Sequence, residues 1–243
     1  ILADLNKINI NARHLLGLIN DVLDLSKIEA QKMDVHPVDI DVESLLSDLQ
    51  AATGSLVSKK QNELIVEAVP GNKQLHTDDL KVKQILLNLI GNASKFTERG
   101  KITLSVTNVD IAGTSHTRFV VSDTGIGMTP EQVAGLFQRF SQADQTTTRK
   151  YGGTGLGLAL TRALATMLGG TVEVKSEVGQ GSVFTLTIPT RYVAPQLPIE
   201  SHSTATTEHA TSSAAAARGL SVLVVDDEVA ARELLTRHLI REG

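Results

Sequence analysis

Residues 84–97, QILLNLIGNASKFT, constrain this chain more than any other stretch. Val82, Leu86, Leu89, Ala93 and Phe96 recur at alternating steps of four and three, the spacing of one apolar stripe on a helix. Such a stripe must be buried against a sheet or other helices. Asn88, Asn92 and Lys95 recur at the same rhythm on a neighbouring face. One reading is a solvated face. The other is a set of ligand contacts, because asparagine competes with the helix backbone and has no propensity reason to sit there. Amide oxygens suit a hard cation such as Mg²⁺, and a lysine beside them suits a phosphate.

The chain has 243 residues, enough for one or two domains with a core. Its net charge of −4 leaves no basic footprint, so no nucleic-acid partner is expected. Cysteine is absent, which rules out disulfides and thiolate chemistry within the sequence and suits a reducing, cytoplasmic setting. No apolar run reaches membrane-spanning length. The first residue is Ile and the last segment is LIREG, so the chain reads as a piece of a longer protein. Membrane attachment is then expected only through upstream sequence.

From the start, Ile1, Leu5, Ile8, Ala12, Leu15, Ile19 and Val22 form a helical-bundle seam, broadened by Leu16, Leu18, Leu23 and Leu25. A stripe that wide needs several partner helices, some from another chain, so a homodimer through this helix is expected. Packing onto its own domain is the alternative. His14 beside Arg13 reads as an ordinary surface or interface histidine, and Pro37 ends the element.

An extended segment over 35–40 follows, then a helix over about 42–59 with Asp41 as N-cap and Leu45, Leu46, Leu49 and Leu56 inward. Residues 64–69 read as a strand stopping at Pro70-Gly71. The asparagine-bearing helix comes next and closes at Gly100. Residues 101–109 alternate Ile102, Leu104 and Val106 with Thr103, Ser105 and Thr107, a half-buried strand, and 118–122 pair with it through a Gly-containing turn. Residues 171–177 and 182–188 form a hairpin around Gly179-Gln180-Gly181. Uneven alternation of helices and hairpin-like strands indicates an α+β chain, a two-layer α/β sandwich with a mixed sheet.

Chemistry-bearing motifs punctuate this frame. Asp123-Thr-Gly-Ile-Gly-Met closes a strand; its glycines admit a flat ligand and its aspartate can accept from an exocyclic amine, although a plain turn has the same pattern. Phe137 and Phe140 fall together on a short amphipathic segment, and 141–150 is a polar loop without period. Tyr151-Gly-Gly-Thr-Gly-Leu-Gly-Leu then opens an apolar helix running to Met167. Glycines at a helix start expose N–H groups and the positive dipole end to an anion. Residues 193–219 are Pro-, Ser-, Thr- and Ala-rich and read as a flexible linker. After it SVLVVDDE is a buried strand ending in Asp226 and Asp227, placed for Mg²⁺.

Taken in order, these segments resemble a hybrid sensor histidine kinase of two-component signalling. HLLGLINDVLDLSKIEAQKM resembles the second helix of the dimerisation and phosphotransfer bundle. QILLNLIGNASKFT, DTGIGM, LFQRFSQAD and YGGTGLGLAL resemble the asparagine, first glycine, phenylalanine and second glycine boxes. GSVFTLTIP resembles the closing strand of a Bergerat-type ATP-binding domain, and SVLVVDDE the opening of a receiver domain. The resemblance implies four parts: 1–35, the bundle helix; 36–192, the ATP-binding catalytic domain; 193–219, the linker; and 220–243, the receiver fragment.

The resemblance also implies residue roles, with ATP and Mg²⁺ as cofactors. Asn92 would coordinate Mg²⁺, with Asn88 beside it and Lys95 at the phosphates. Asp123 would accept from adenine, with Gly125 and Gly127 making room. Phe137 and Phe140 would hinge a lid, Arg149 or Lys150 would reach the terminal phosphate, and Gly153, Thr154, Gly155, Leu156 and Gly157 would form the phosphate-side turn. Asp226 and Asp227 would hold the receiver's Mg²⁺. The implied activity is a protein-histidine kinase in a phosphorelay, partnered by a receiver domain or response regulator.

One departure matters. The family's acceptor histidine is followed by an acid, yet the seven histidines here precede Leu15, Pro37, Thr77, Thr117, Ser203, Ala210 and Leu239. The acceptor is therefore expected before Ile1, and the receiver's acceptor aspartate beyond Gly243. Chaperone, topoisomerase and mismatch-repair ATPases are an alternative, but their helix carries a carboxylate base where Asn88 stands. A nucleotide-binding scaffold without catalysis is a third.

Overall fold

The computed structural model describes residues 2–68, 74–138 and 155–194. All of them fall in a unit spanning Ile1–Pro195. Apart from Val193 and Ala194, the linker and receiver segments, with Asp226 and Asp227, lie outside the described residues.

Helix α1 (Leu2–Glu29) precedes strand β1 (Val38–Asp41) and helix α2 (Val42–Ser58). Strands β2 (Glu63–Ala68) and β3 (Gln74–Thr77) lead to helix α3 (Asp79–Phe96), the asparagine-bearing one. Strands β4 (Lys101–Ile111) and β5 (Thr114–Asp123), helix α4 (Pro130–Gly135), helix α5 (Gly157–Met167) and strands β6 (Thr171–Glu177) and β7 (Gly181–Pro189) complete the order. Five strands make one sheet in the order β2-β4-β5-β7-β6, with β2 parallel to β4 and the other pairs antiparallel. Strands β1 and β3 form a separate antiparallel pair. This is the expected two-layer sandwich with a mixed sheet.

Residue chemistry explains the elements. On β4, Ile102, Leu104 and Val106 are fully buried while Thr103, Ser105 and Thr107 stay half-exposed, so one sheet face is the core. The β4–β5 hairpin turns through Ala112 and Gly113, both at positive φ, the conformation that suits a two-residue turn between twisted strands. Against that face lie Leu45, Leu46, Leu49 and Val57 of α2, Val82, Ile85, Leu86, Leu89 and Ile90 of α3, and Leu160 and Leu164 of α5. Asp41 caps α2, accepting from Glu43 N at 2.8 Å, and Asp78 caps α3, accepting from Lys81 N at 3.1 Å.

Several details depart from the sequence reading, among them the end of α1, which stops at Glu29 ahead of a turn with Gln31 at positive φ rather than at Pro37. Strand β3 was not expected, because its four residues carry one buried apolar side chain, Leu75. Strand β5 starts at Thr114 rather than Arg118; polar Thr and Ser fill its first turn-proximal positions. Helix α4 was not expected, although Thr129 and Gln132 form a capping box ahead of it and Pro130 opens it. Leu56 points outward at 45% exposure; the inward stripe of α2 instead steps through Leu49, Thr53 and Val57.

Helix α1 leaves most of its apolar stripe uncovered. Leu25 is buried and Leu18 and Ile28 pack on the core, but Leu5, Ile8, Leu15, Ile19 and Val22 are 45–64% exposed.

Candidate functional site

The carboxyl end of α3 and the loop after β5 are built against each other. Asp123, the last residue of β5, is 8% exposed. Its Oδ1 accepts from Gly125 N at 2.8 Å and from Thr97 Oγ1 at 3.4 Å. Burial raises its pKa above the ordinary carboxylate value, even though those donors and Ser182 N favour the charged form. Such a group is a poised acceptor: buried, oriented, and short of full compensation.

The glycines explain the shape of this loop. A Cβ on Gly125 would stand 2.5 Å from Phe96 O and 2.8 Å from both Asp123 Oδ1 and Thr97 Oγ1, so a side chain there would push α3 and the loop apart. Gly127 has φ +65°, and a Cβ would come within 1.9 Å of Glu177 O on the β6–β7 hairpin. Ile126 links both neighbours, its N–H donating to Phe96 O at 3.3 Å and its carbonyl accepting from Gly179 N at 2.8 Å.

A brace behind α3 fixes its end. Asn62, in the α2–β2 loop, donates to Thr97 O at 2.9 Å and accepts from Gly100 N at 3.0 Å. Lys60 Nζ donates to the carbonyl of Lys95, where the helix dipole favours a cation. The Lys95 ammonium lies 5.0 Å over the Phe96 ring. Burial, and then the Lys60 charge, lower its pKa. Lys60, Lys95, Phe96, Thr124 and Ile126 border a pocket of about 270 Å³ at this end.

One to two turns back along α3, Asn92 Nδ2 donates to Asn88 Oδ1 at 3.5 Å, and Asn88 Nδ2 donates to Thr161 Oγ1 of α5 at 2.7 Å. Gly157, the first residue of α5, abuts the same amide: a Cβ there would stand 2.7 Å from Asn88 Oδ1. Leu156 is buried just ahead of it, and Gly155 has φ +70°. The segment expected to face phosphates thus opens directly onto Asn88. Phe137 follows α4, packs against the core and receives the Arg162 guanidinium 5.7 Å over its ring.

The structure therefore brings Asn88, Asn92 and Gly157 together, and separately Lys95, Asp123 and Gly125 with the end of α3. Gly127 sits against the β6–β7 hairpin, and Phe137 against Arg162. Phe140, Arg149, Lys150, Gly153 and Thr154 lie outside the described residues. Sequence reasoning missed Thr97, Thr161, Asn62 and Lys60. For Thr161 a signal existed: within GLALTRALATM it shares the apolar face of Leu160 and Leu164, whereas Thr166 is exposed, the same anomaly of a polar residue in apolar company that singled out Asn88.

Residues 77–192 match the family model described as Histidine kinase-, DNA gyrase B-, and HSP90-like ATPase. The chain is 41% identical over 188 residues to Hybrid signal transduction histidine kinase B of Dictyostelium discoideum, covering 76% of this chain and 10% of that protein. It is 42% identical over 188 residues to the Circadian input-output histidine kinase CikA of Synechococcus elongatus, covering 74% of this chain and 24% of that protein. The chain carries the ATP-binding domain of the sensor histidine kinases.

Solved structures agree on the fold of this kinase-type domain. ShkA, crystallised full-length in complex with AMPPNP, superposes with a TM-score of 0.63 at 35% identity, covering 76% of this chain and 37% of that one. The catalytic domain of histidine kinase ThkA matches with a TM-score of 0.55 at 22% identity, over 64% of this chain and 97% of that domain. The described sheet and helices are thus the Bergerat arrangement of that domain. The chain spans only 10% and 24% of the two kinases named above, so what a whole protein of this kind does is a separate question.

Proposed function

We propose that this domain binds ATP with Mg²⁺ and serves a protein-histidine kinase, whose product phosphohistidine passes its phosphoryl group to a receiver aspartate. The observation that carries the reading is the pairing of two features on one helix. Asn88 presents its amide to Gly157 and Thr161 of α5 and receives Asn92, while the end of the same helix meets a buried acceptor carboxylate, Asp123, through glycine-sized gaps. This donor set fits the group: a buried carboxylate for an exocyclic amine, amide oxygens for a hard cation, and a glycine-led helix start for phosphate.

Bound nucleotide would supply the phosphoryl group, and the metal would supply charge to neutralise its oxygens. The chain's own residues do the rest by position. Asp123 accepts from the base and Gly125 keeps the approach open. Asn92 offers its carbonyl oxygen to the cation, Asn88 orients it, and Lys95 adds charge at the phosphates. Gly155, Leu156 and Gly157 present the start of α5. Phe137 anchors one end of a lid whose other members, Phe140, Arg149 and Lys150, belong to the proposal from sequence alone, as do Gly153 and Thr154.

Transfer forms a nitrogen–phosphorus bond at the acceptor histidine and breaks the bond to the leaving diphosphate; the imidazole proton goes to an adjacent carboxylate. No histidine in this sequence has an acidic residue after it, so the acceptor is placed on another segment. The half-exposed apolar face of α1 supports homodimerisation, and relatives named as hybrid kinases support a receiver partner, with Mg²⁺ at Asp226 and Asp227. No described helix is long and apolar enough to cross a membrane, and we place the domain in the cytoplasm. Hydrolysis of the chaperone type is disfavoured because the amide of Asn88, held by Thr161, offers no base.

Incubation with γ-labelled ATP tests the transfer. The chain alone is expected to stay unlabelled, and a longer chain with an upstream helix carrying a histidine–acid pair is expected to gain acid-labile phosphate. Acid-labile label on the chain alone, lost in His14→Gln, would move the acceptor to His14.

A further inference from the structure

Thr161 is buried at 2% exposure on the inner face of α5, among Ala159, Leu160, Leu164 and Ala165. A hydroxyl in that setting is costly unless paired. Its partner is Asn88 Nδ2 at 2.7 Å, the shorter of the two hydrogen bonds in the asparagine pair. Asn88 Oδ1 in turn faces Asn92 Nδ2 at 3.5 Å and the position a Gly157 side chain would fill. The donors run in one direction, Asn92 to Asn88 to Thr161. A half-turn of the Asn88 amide would set two NH₂ groups against each other, and the Asn92 amide would then be free to turn as well. With Thr161 Oγ1 accepting from it, the Asn88 NH₂ is held on α5, its Oδ1 is turned to Asn92 Nδ2, and the Asn92 carbonyl oxygen is left over.

We infer that Thr161 is a positioning residue for the cation end of the site: through Asn88 it leaves the Asn92 carbonyl oxygen, rather than its NH₂, for a hard divalent cation. This rests on the nucleotide-binding reading above and extends it to a residue outside the asparagine and glycine boxes. The effect is on the metal-dependent part of binding, because among the described residues no hydrogen bond runs from Thr161 to Asp123, the base-accepting carboxylate just past the carboxyl end of α3. The interaction also ties α5 to α3, so a packing role is the rival explanation. The test must separate the two.

A non-hydrolysable ATP analogue is titrated calorimetrically into the wild-type chain, Thr161→Val, Thr161→Ala, Thr161→Ser and Asn92→Ala, each with Mg²⁺ and with EDTA. The readout is the ratio of affinities with and without the metal. Thr161→Val and Thr161→Ala are expected to lose about tenfold of that ratio while their EDTA affinity stays within about twofold of wild type. Thr161→Ser, which keeps the hydroxyl, is expected to retain the ratio within about twofold. A wild-type ratio in both Thr161→Val and Thr161→Ala overturns the inference. So does an equal fall in both media, which marks simple packing, and so does loss of the ratio in Thr161→Ser. If Asn92→Ala keeps the full ratio, or the wild type binds in neither medium, the nucleotide reading fails and this inference fails with it.

Discussion

Helices α1 and α3 carry apolar stripes of the same spacing and end up in opposite circumstances. On α3 the stripe is buried up to its last turn: Val82, Leu86 and Leu89 have no exposed surface and Ala93 has 2%, while Phe96 is half-buried at the pocket. On α1 the equivalent positions Leu5, Ile8, Leu15, Ile19 and Val22 remain about half exposed. A periodic stripe dictates that something covers it, and the covering body can be the domain's own sheet or another surface. The second contrast lies on the polar side. The polar residues of α3 form a directed chain of hydrogen bonds into α5, whereas Asp21 and Asp24 of α1 stand close enough for burial, and then mutual repulsion, to raise the pKa of Asp21.

The sharpest way to break this contrast is at the start of α3. Asp78, 3% exposed, accepts from Lys81 Nζ at 2.6 Å and from His36 N at 3.0 Å. Asp78→Ala strands a largely buried ammonium and removes the cap, and is expected to cost about 3–5 kcal/mol in urea unfolding. Burial pushes the Asp78 carboxyl up, but the hydrogen bonds from His36 and Lys81 prevail and hold its pKa below the ordinary value. Its folded pKa being the lower one, its stabilisation is complete above the unfolded value near about 3.9 and drains away as pH falls through the folded one. Stability measured on going down in pH from about 5 is expected to fall more steeply in wild type than in Asp78→Asn.

Next in size is Leu89→Ala, with an expected cost of about 2–5 kcal/mol from lost burial and a residual cavity. A cost as small as that of a surface change would mean that the α3 stripe is not the core. On α1 the expected effects shift from folding to association. Leu15→Asp is expected to weaken self-association by at least about tenfold in sedimentation equilibrium. Leu15→Ala is expected to change the unfolding free energy of dilute protein by less than about 0.5 kcal/mol. Equal association in wild type and Leu15→Asp would show that this stripe has another role.

What was legible in the sequence follows from the same contrast. Period-2 alternation on β4 and the burial of α3 were readable because each rests on many residues repeating one rule. Strand β3 and the true inward face of α2 were not. Four residues with one buried leucine carry no period, and the choice between Leu56 and Val57 depends on where α2 lies over the sheet. At the site, Asn88 and Asn92 announced themselves as polar residues on an apolar helix, and Asp123 through the two glycines that follow it at a strand end. Thr97, Asn62 and Lys60 did not, since a polar residue in a loop or at a helix end is ordinary until tertiary contact gives it a carboxylate or a carbonyl to hold. Gly125 was legible as permissive backbone; that it must also clear Phe96 O needed the fold.

The central claim is that Asn88 and Asn92 on α3 and the Asp123 carboxylate beyond its carboxyl end form one nucleotide site, and calorimetric titration of an ATP analogue with Mg²⁺ tests it most directly. Wild type is expected to bind in the micromolar range or more weakly, about −5 to −8 kcal/mol, and both Asn92→Ala and Asp123→Ala to lose binding beyond detection. Undiminished binding in either variant, with the variant still folded, would contradict the assignment.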